Sequence, residues 1–195
     1  MPGASPPDPR DERLRERLIS SEVLRTSRVL EFRIDTVEAP DGHRSTRDIA
    51  AHPGGVAMVA IDPDRNVLLV RQWRHAAGKA LLEIPAGTLD RHPDGSIEEH
   101  LGAAKRELEE ETGYRAARWT YLAGFYTAPG FTSELMHLYL AEDLSPPHEG
   151  RLGPDEDERL ELERVPLADA VAMAERGELD DAKSLVGLLL VGRQS

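Results

Sequence analysis

Between Glu98 and Tyr114 the chain reads EEHLGAAKRELEEETGY. Residues three and four apart on a helix share a face. Glu107, Glu110 and Glu111 therefore line up as a carboxylate stripe, with Leu101, Ala104 and Leu108 on the other side. A helix of this kind needs a flat apolar surface to bury that side, so a sheet is expected beneath it. The helix is predicted to start in GSIEEHLG, where Ser96 and Glu99 have the spacing of a capping box, and to stop at Gly113. Like charges at i,i+4 destabilise a helix by roughly 0.2–0.5 kcal/mol per pair. One reading of the stripe is a hydrated acidic face. The other is a cation site, since a divalent ion reverses the sign of that term. Mg²⁺ is held by oxygen ligands, usually one or two carboxylates with waters and phosphate oxygens. Glu109 falls off the stripe and reads as a solvated charge.

The remaining segments supply the sheet. Glu22 to Val37 alternates well enough for one or two strands, and the Asp-Gly turn in APDGHRS predicts a hairpin after them. GGVAMVAID and NVLLVRQWR are strands joined by the turn PDR, and LLEIPAG is a short strand ending at Pro-Ala-Gly. RWTYLAGFYTA and ELMHLYLAEDL are strands around the loop APGFTS, and RLELERVPL is a last strand. Helices are predicted over 167–176 and 182–191, after a long polar loop, 145–158. The fold class expected is α/β of the α+β type, with a mixed sheet covered by helices. Residues 1–20 are expected to be a flexible arm, 21–53 a set of N-terminal strands, and 54–195 the catalytic domain.

Composition narrows the function. The net charge of −12 disfavours sequence-independent grip on nucleic acid, which needs Lys and Arg against phosphate. Cysteine is absent, so neither a thiolate nucleophile nor a Cys-ligated metal can occur. The seven histidines show no metal-ligating spacing, and His137 reads as an ordinary strand residue. The N-terminal segment has no apolar core of a secretory signal, and LVGLLLVG is far too short to span a bilayer. A cytoplasmic protein without membrane or nucleic-acid partners is expected.

The spacing from Glu98 onward resembles the Nudix box, Gly-x5-Glu-x7-Arg-Glu-U-x-Glu-Glu-x-Gly-U, where U is bulky and apolar. Arg106, Glu107, Leu108, Glu110, Glu111, Gly113 and Tyr114 agree with every defined position after Glu98. The box glycine would fall at position 92, which is His92; Gly87 of IPAG stands in its place. The loop containing RHPDGS is therefore read as carrying a five-residue insertion, longer and more mobile than usual and clear of the metal stripe. Pro129, fifteen residues after Tyr114, together with HPGGVAMVAID, LLVRQWR and LEIPAG, is similar to the ADP-ribose pyrophosphatase branch of the family. The resemblance covers about residues 22 to 191.

It implies a Nudix α/β/α sandwich with a mixed central sheet. It also implies Mg²⁺ or Mn²⁺ as cofactor and a nucleoside diphosphate as the small-molecule substrate. ADP-ribose would be split by water attack on phosphorus into AMP and ribose 5-phosphate. Another sugar nucleotide, such as GDP-mannose or UDP-glucose, is the alternative, as is a Nudix-fold regulator that binds ADP-ribose without cleaving it. Carried onto this chain, Glu107 and Glu111 are the principal metal ligands, with the carbonyl of Ala86. Glu110 is a further ligand or a base for the water. Arg106 orients the cluster through Glu98 or Glu110. In the acidic loop GPDEDERLELE, either Glu158 or Glu156 is a candidate base, the alternative being a hydrated charge run. Substrate contacts are implied for Gly87 and for Pro129, Gly130, Phe131 and Glu134, against an ordinary Pro-Gly turn. Arg71 and Arg74 are read as sharing one strand face, with Trp73 on the other, where one Arg reaches the diphosphate; solvated arginines are the alternative. The N-terminal strands are expected to form a homodimer, bringing Arg28 and Phe32 of the partner towards the adenine.

Overall fold

The structure, a computed structural model, describes residues 10–147 and 159–193. Two compact units divide the chain. The first runs up to His52 and includes Ala128–Ser133; the second comprises the remainder.

The first unit is an antiparallel sheet of β1 (Arg17–Thr26), β2 (Glu31–Glu38) and β3 (Arg44–Ala51). β1 begins inside the segment expected to be an arm, because Arg17 to Thr26 find hydrogen-bonding partners along β2. The expected Asp-Gly turn joins β2 to β3, with Gly42 at φ 83°, a conformation glycine adopts without a Cβ penalty.

The second unit carries β4 (Gly55–Ile61), β5 (Asn66–Arg74), β6 (Lys79–Glu83), β7 (Ala86–Thr88), β8 (Arg115–Tyr126), β9 (Leu135–Ser145) and β10 (Leu160–Pro166). The main path is β10-β5-β4-β9-β8, with β6 paired to β5 and β7 to β4. Only β4 and β9 run parallel, so the sheet is mixed. All seven residues of β4 are buried, which fits its unbroken apolar sequence and central place. Alternate residues face two cores. Val56, Met58, Ala60 and Leu68 pack with Ala103, Ala104 and Leu108 of α1 (His100–Thr112). Ala57, Val59, Val67 and Leu69 pack with α2 (Leu167–Glu175) and α3 (Ala182–Gly192) on the opposite face. The expected α/β/α sandwich is the observed one.

The start of α1 differs from expectation. Ser96 does not cap it; Glu99 does, its carboxylate accepting from the backbone N–H groups of Leu101 and Gly102. Asp94 takes the Ser96 hydroxyl instead, at 2.6 Å. The inserted loop is a small closed hairpin: Arg91 bridges Ile97, the His92 N–H donates to the Ser96 carbonyl at 2.9 Å, and Gly95 turns at φ 85°. Hydrogen bonding inside the insertion thus removes Ser96 from the helix and delays α1 to His100. Gly113 ends it as expected, at φ 76°.

Candidate active site on the acidic helix

Burying Ala103, Ala104 and Leu108 aims the other side of α1 at β7 and the loop beyond it. Gly87 shows how close the approach is. A Cβ built there would lie 1.9 Å from Cδ of Glu107 and 2.0 Å from its Oε1. Gly87 is thus required by the carboxylate beside it and not by its own backbone angle. Next to it the Ala86 N–H donates to Glu111 Oε2 at 3.0 Å. Both Glu107 and Glu111 are buried, at 9% exposure each.

Arg106 gathers the cluster. Its Nη1 donates to Glu107 Oε1 and to Glu110 Oε2, each at 2.8 Å. Its Nε and Nη2 grip the two oxygens of Glu98 at 3.2 and 2.9 Å. Both orienting partners expected for Arg106 are therefore engaged together. Hydrogen bonding to Glu98 holds the guanidinium's pKa well above its ordinary value. The reciprocal bond from Arg106 pulls the Glu98 carboxyl below the usual carboxylate range, despite burial acting the other way. Glu98 lies in the loop before α1, and Asp90 at the base of the inserted hairpin comes within 3.8 Å of Arg106. The inserted hairpin closes back on Asp90 and Glu98, so its base stands beside Arg106.

Glu98, Glu107, Glu110 and Glu111 set four formal negative charges against one from Arg106, an excess of three. Among the described residues no group of three or more acid or histidine side chains is arranged to hold a metal ion. The excess of carboxylate oxygens is the chemistry of a hard divalent cation, which keeps waters and takes phosphate oxygens to complete its shell. The donor set fits such an ion.

Glu109 corrects the sequence reading. It is 6% exposed and forms a two-pronged ion pair with Arg115 at 2.7 and 2.8 Å, so it ties the end of α1 to β8. The two arginines of β5 also depart from expectation. Side chains alternate along a strand, so residues three apart face opposite ways. Arg71 continues the row of Val67 and Leu69 and pairs with Glu163 at 2.7 Å. Arg74 continues the row of Leu68 and donates through Nε and Nη2 to Glu83 at 2.7 and 2.8 Å. Trp73 is 61% exposed.

The structure brings Ala86, Gly87, Arg106, Glu107, Glu110 and Glu111 together. Pro129, Gly130 and Phe131 form a turn tied to β3 in the first unit, where the Ala50 N–H donates to the Phe131 carbonyl at 2.8 Å. Glu134 accepts from the Thr127 hydroxyl at 2.5 Å beside the start of β9. Arg28 lies in the exposed turn between β1 and β2, and Phe32 is 39% exposed. Glu156 and Glu158 lie outside the described residues. His137 is packed, stacked on His100 with ring centroids 4.4 Å apart.

Sequence reasoning passed over a second charged cluster. Glu83 is 1% exposed and accepts from Lys183 as well as Arg74; Lys183 also pairs with Asp181 at 2.9 Å. Burial pushes the Glu83 carboxyl up, but the bonds and charges of Arg74 and Lys183 outweigh it and hold the group below its ordinary value. The available signal was a single charge in each of two apolar runs, LLEIP and AKSLVGLLL.

A family model described as the NUDIX domain matches residues 51–186. The ADP-ribose pyrophosphatase of Bacillus subtilis (strain 168) is 41% identical over 171 residues, covering 88% of this chain and 89% of that protein. A methanol dehydrogenase activator of Bacillus methanolicus is 38% identical, covering 89% of this chain and 90% of that protein. Among solved structures, one described as an ADP compounds hydrolase superposes with a TM-score of 0.76 at 27% identity, covering 92% of this chain and 93% of that one.

Proposed function

The chain belongs to the Nudix family of hydrolases, and from that membership we propose that it splits ADP-ribose into AMP and ribose 5-phosphate with a bound divalent cation, Mg²⁺ or Mn²⁺. The observation that carries the reading is the close seating of Glu107 on Gly87 within a cluster holding three excess negative charges. The 41% identity to an ADP-ribose pyrophosphatase over most of both chains supports the choice of substrate.

Glu107, Glu111 and the Ala86 carbonyl would hold the cation, with Glu110 beside them. When bound, the ion offsets the charge of the diphosphate and makes a water more acidic. Arg106 fixes the orientation of Glu107 and Glu110. Glu110 is the more exposed of those two carboxylates, with side-chain exposures of 21% against 12%, and we assign it the proton of the attacking water. Arg74 spends Nε and Nη2 on Glu83, and no partner for its Nη1 stands among the described residues. This guanidinium, 41% exposed at the end of β5, is assigned to a phosphate oxygen.

Purified protein should release AMP and ribose 5-phosphate in equal amounts from ADP-ribose. A chelator should lower the rate about a thousandfold, and Mg²⁺ should restore it. Faster turnover of GDP-mannose would move the substrate to another sugar nucleotide. Tight binding of ADP-ribose without AMP release would favour a regulator, the reading to which the relative described as an activator points.

We also propose a homodimer built on the first unit. Among the described residues β1 is bonded on one edge only, to β2, and exposes Leu18, Val23 and Leu24 at 57%, 54% and 58%. A ten-residue strand with an open edge and exposed leucines invites a second chain. Light scattering should give twice the 21.6 kDa chain mass. An active monomer would remove the proposal.

A further inference from the structure

The cluster around Glu83 joins α3 to the turn that carries Ala86 and Gly87. Four consecutive contacts show this. Glu83 accepts from Arg74 and from Lys183. The Ile84 N–H donates to the Ser184 hydroxyl at 2.8 Å. The Pro85 carbonyl accepts from the Met58 N–H at 3.0 Å. The Ala86 N–H donates to Glu111 at 3.0 Å. The first turn of α3 is itself held by Asp181, which caps it by accepting from the Ser184 N–H at 2.9 Å and pairs with Lys183. Residues 83–86 are thus gripped from α3 at one end and from α1 at the other.

We propose that Lys183 is a positioning residue for substrate binding: by sharing the charge of Glu83 it leaves Arg74 both fixed in place and electrically positive towards the diphosphate. The proposal rests on the assignment of Arg74 to a phosphate oxygen. Its physical basis is a charge count. Glu83 and Asp181 face two cations, Arg74 and Lys183, so the four charges sum to zero; without Lys183 the sum is −1. Asp181 is present in both cases, and its carboxylate is engaged by the cap of α3. Glu83 and Lys183 are buried, so solvent screens their pair weakly; Arg74, with its side chain 41% exposed, feels the removed charge in a reduced degree. Lys183 touches neither substrate nor cation in this scheme. It acts only through Glu83 and Arg74.

The test uses the full chain with Lys183→Met. The Michaelis constant for ADP-ribose should rise about tenfold with kcat within about twofold, the pattern of a lost uniform binding interaction. Lys183→Arg, which restores the charge, should bring it back. A Lys183→Met protein with a lower melting temperature but an unchanged Michaelis constant would overturn the proposal. If that variant does not fold, Lys183→Gln keeps a donor to Glu83 without the charge and should show the same rise; an unchanged constant there overturns the proposal equally. A second readout needs no turnover. The Arg74 Nε–H signal in ¹⁵N NMR, identified by its loss in Arg74→Lys, should be protected from exchange in the native protein and exposed in Lys183→Met. Native protein that fails to cleave ADP-ribose but shows this change would refute the substrate assignment and keep the coupling. Native cleavage with an unaltered Arg74 signal would do the reverse.

Discussion

Glu111→Gln is expected to lower kcat about a thousandfold, a loss of roughly 4 kcal/mol of transition-state stabilisation, while the protein keeps its fold. The substitution separates two jobs of one side chain. Glu111 Oε2 accepts the Ala86 N–H at 3.0 Å, and the amide oxygen of glutamine can accept the same bond. The turn between β6 and β7 therefore keeps its tie to α1. What disappears is one of four negative charges in a cluster with a single guanidinium. A neutral amide is a poor ligand for a hard divalent cation. Steady-state turnover beside a thermal melt measures both jobs. A melting temperature within a few degrees of native is expected, because volume and backbone bonding are preserved. Turnover within tenfold of native would take Glu111 off the list of cation ligands.

Gly87→Ala should be nearly as damaging to activity and harmless to stability, an unusual pairing. The new Cβ would sit 1.9 Å from Cδ of Glu107, far inside van der Waals contact. The obstructing atoms are the end of a flexible side chain, so the clash resolves when Glu107 swings away, and α1 and β7 stay where they are. The swing breaks the 2.8 Å bond from Arg106 to Glu107 and removes that carboxylate from the cluster. Gly87 is not at positive φ, so alanine fits its backbone and restricts the unfolded chain, a gain of about 0.4–1 kcal/mol that offsets the local rearrangement. Activity should match that of Glu107→Gln. The double variant should be no worse than either single one, since both act by removing the same carboxylate. Additive losses in the double variant would show that Gly87 serves the site in some other way.

Both expectations start from residues that stand out in the sequence, yet only one of the two reasons does. The stripe of Glu107, Glu110 and Glu111 follows from helical spacing, and Gly113 from the need for a left-handed stop. Most strands and the two later helices follow from alternation and apolar runs, within a few residues; LLEIPAG, expected as one strand, divides at Ile84-Pro85 into β6 and β7, which pair with β5 and β4. Gly87 stands out in the sequence only through the resemblance of IPAG to a family motif; its reason, the Glu107 carboxylate against its Cα, needs two segments twenty residues apart in contact. Two departures, at Ser96 and Glu109, share a cause. Ser96 has capping spacing, but Asp94 competes for its hydroxyl once the hairpin closes. Glu109 is off the stripe, but β8 delivers Arg115 to it. Arg71 and Arg74 differ in another way: an odd separation along a strand puts them on opposite faces, where they meet Glu163 and Glu83.

Periodicity and spacing by themselves determined the kind of most elements, their order and the carboxylate stripe of α1, because these depend on neighbours within one or two turns of chain. Tertiary structure decided which charges are paired. Glu83, Arg74 and Lys183 come from two strands and a helix, with 100 residues between Glu83 and Lys183. A buried carboxylate is tolerated only with partners that satisfy it, and nothing local to LLEIP names them. Packing α3 on the sheet supplies the second cation, and that is what turns a lone glutamate in an apolar strand into the anchor of an arginine at the end of β5.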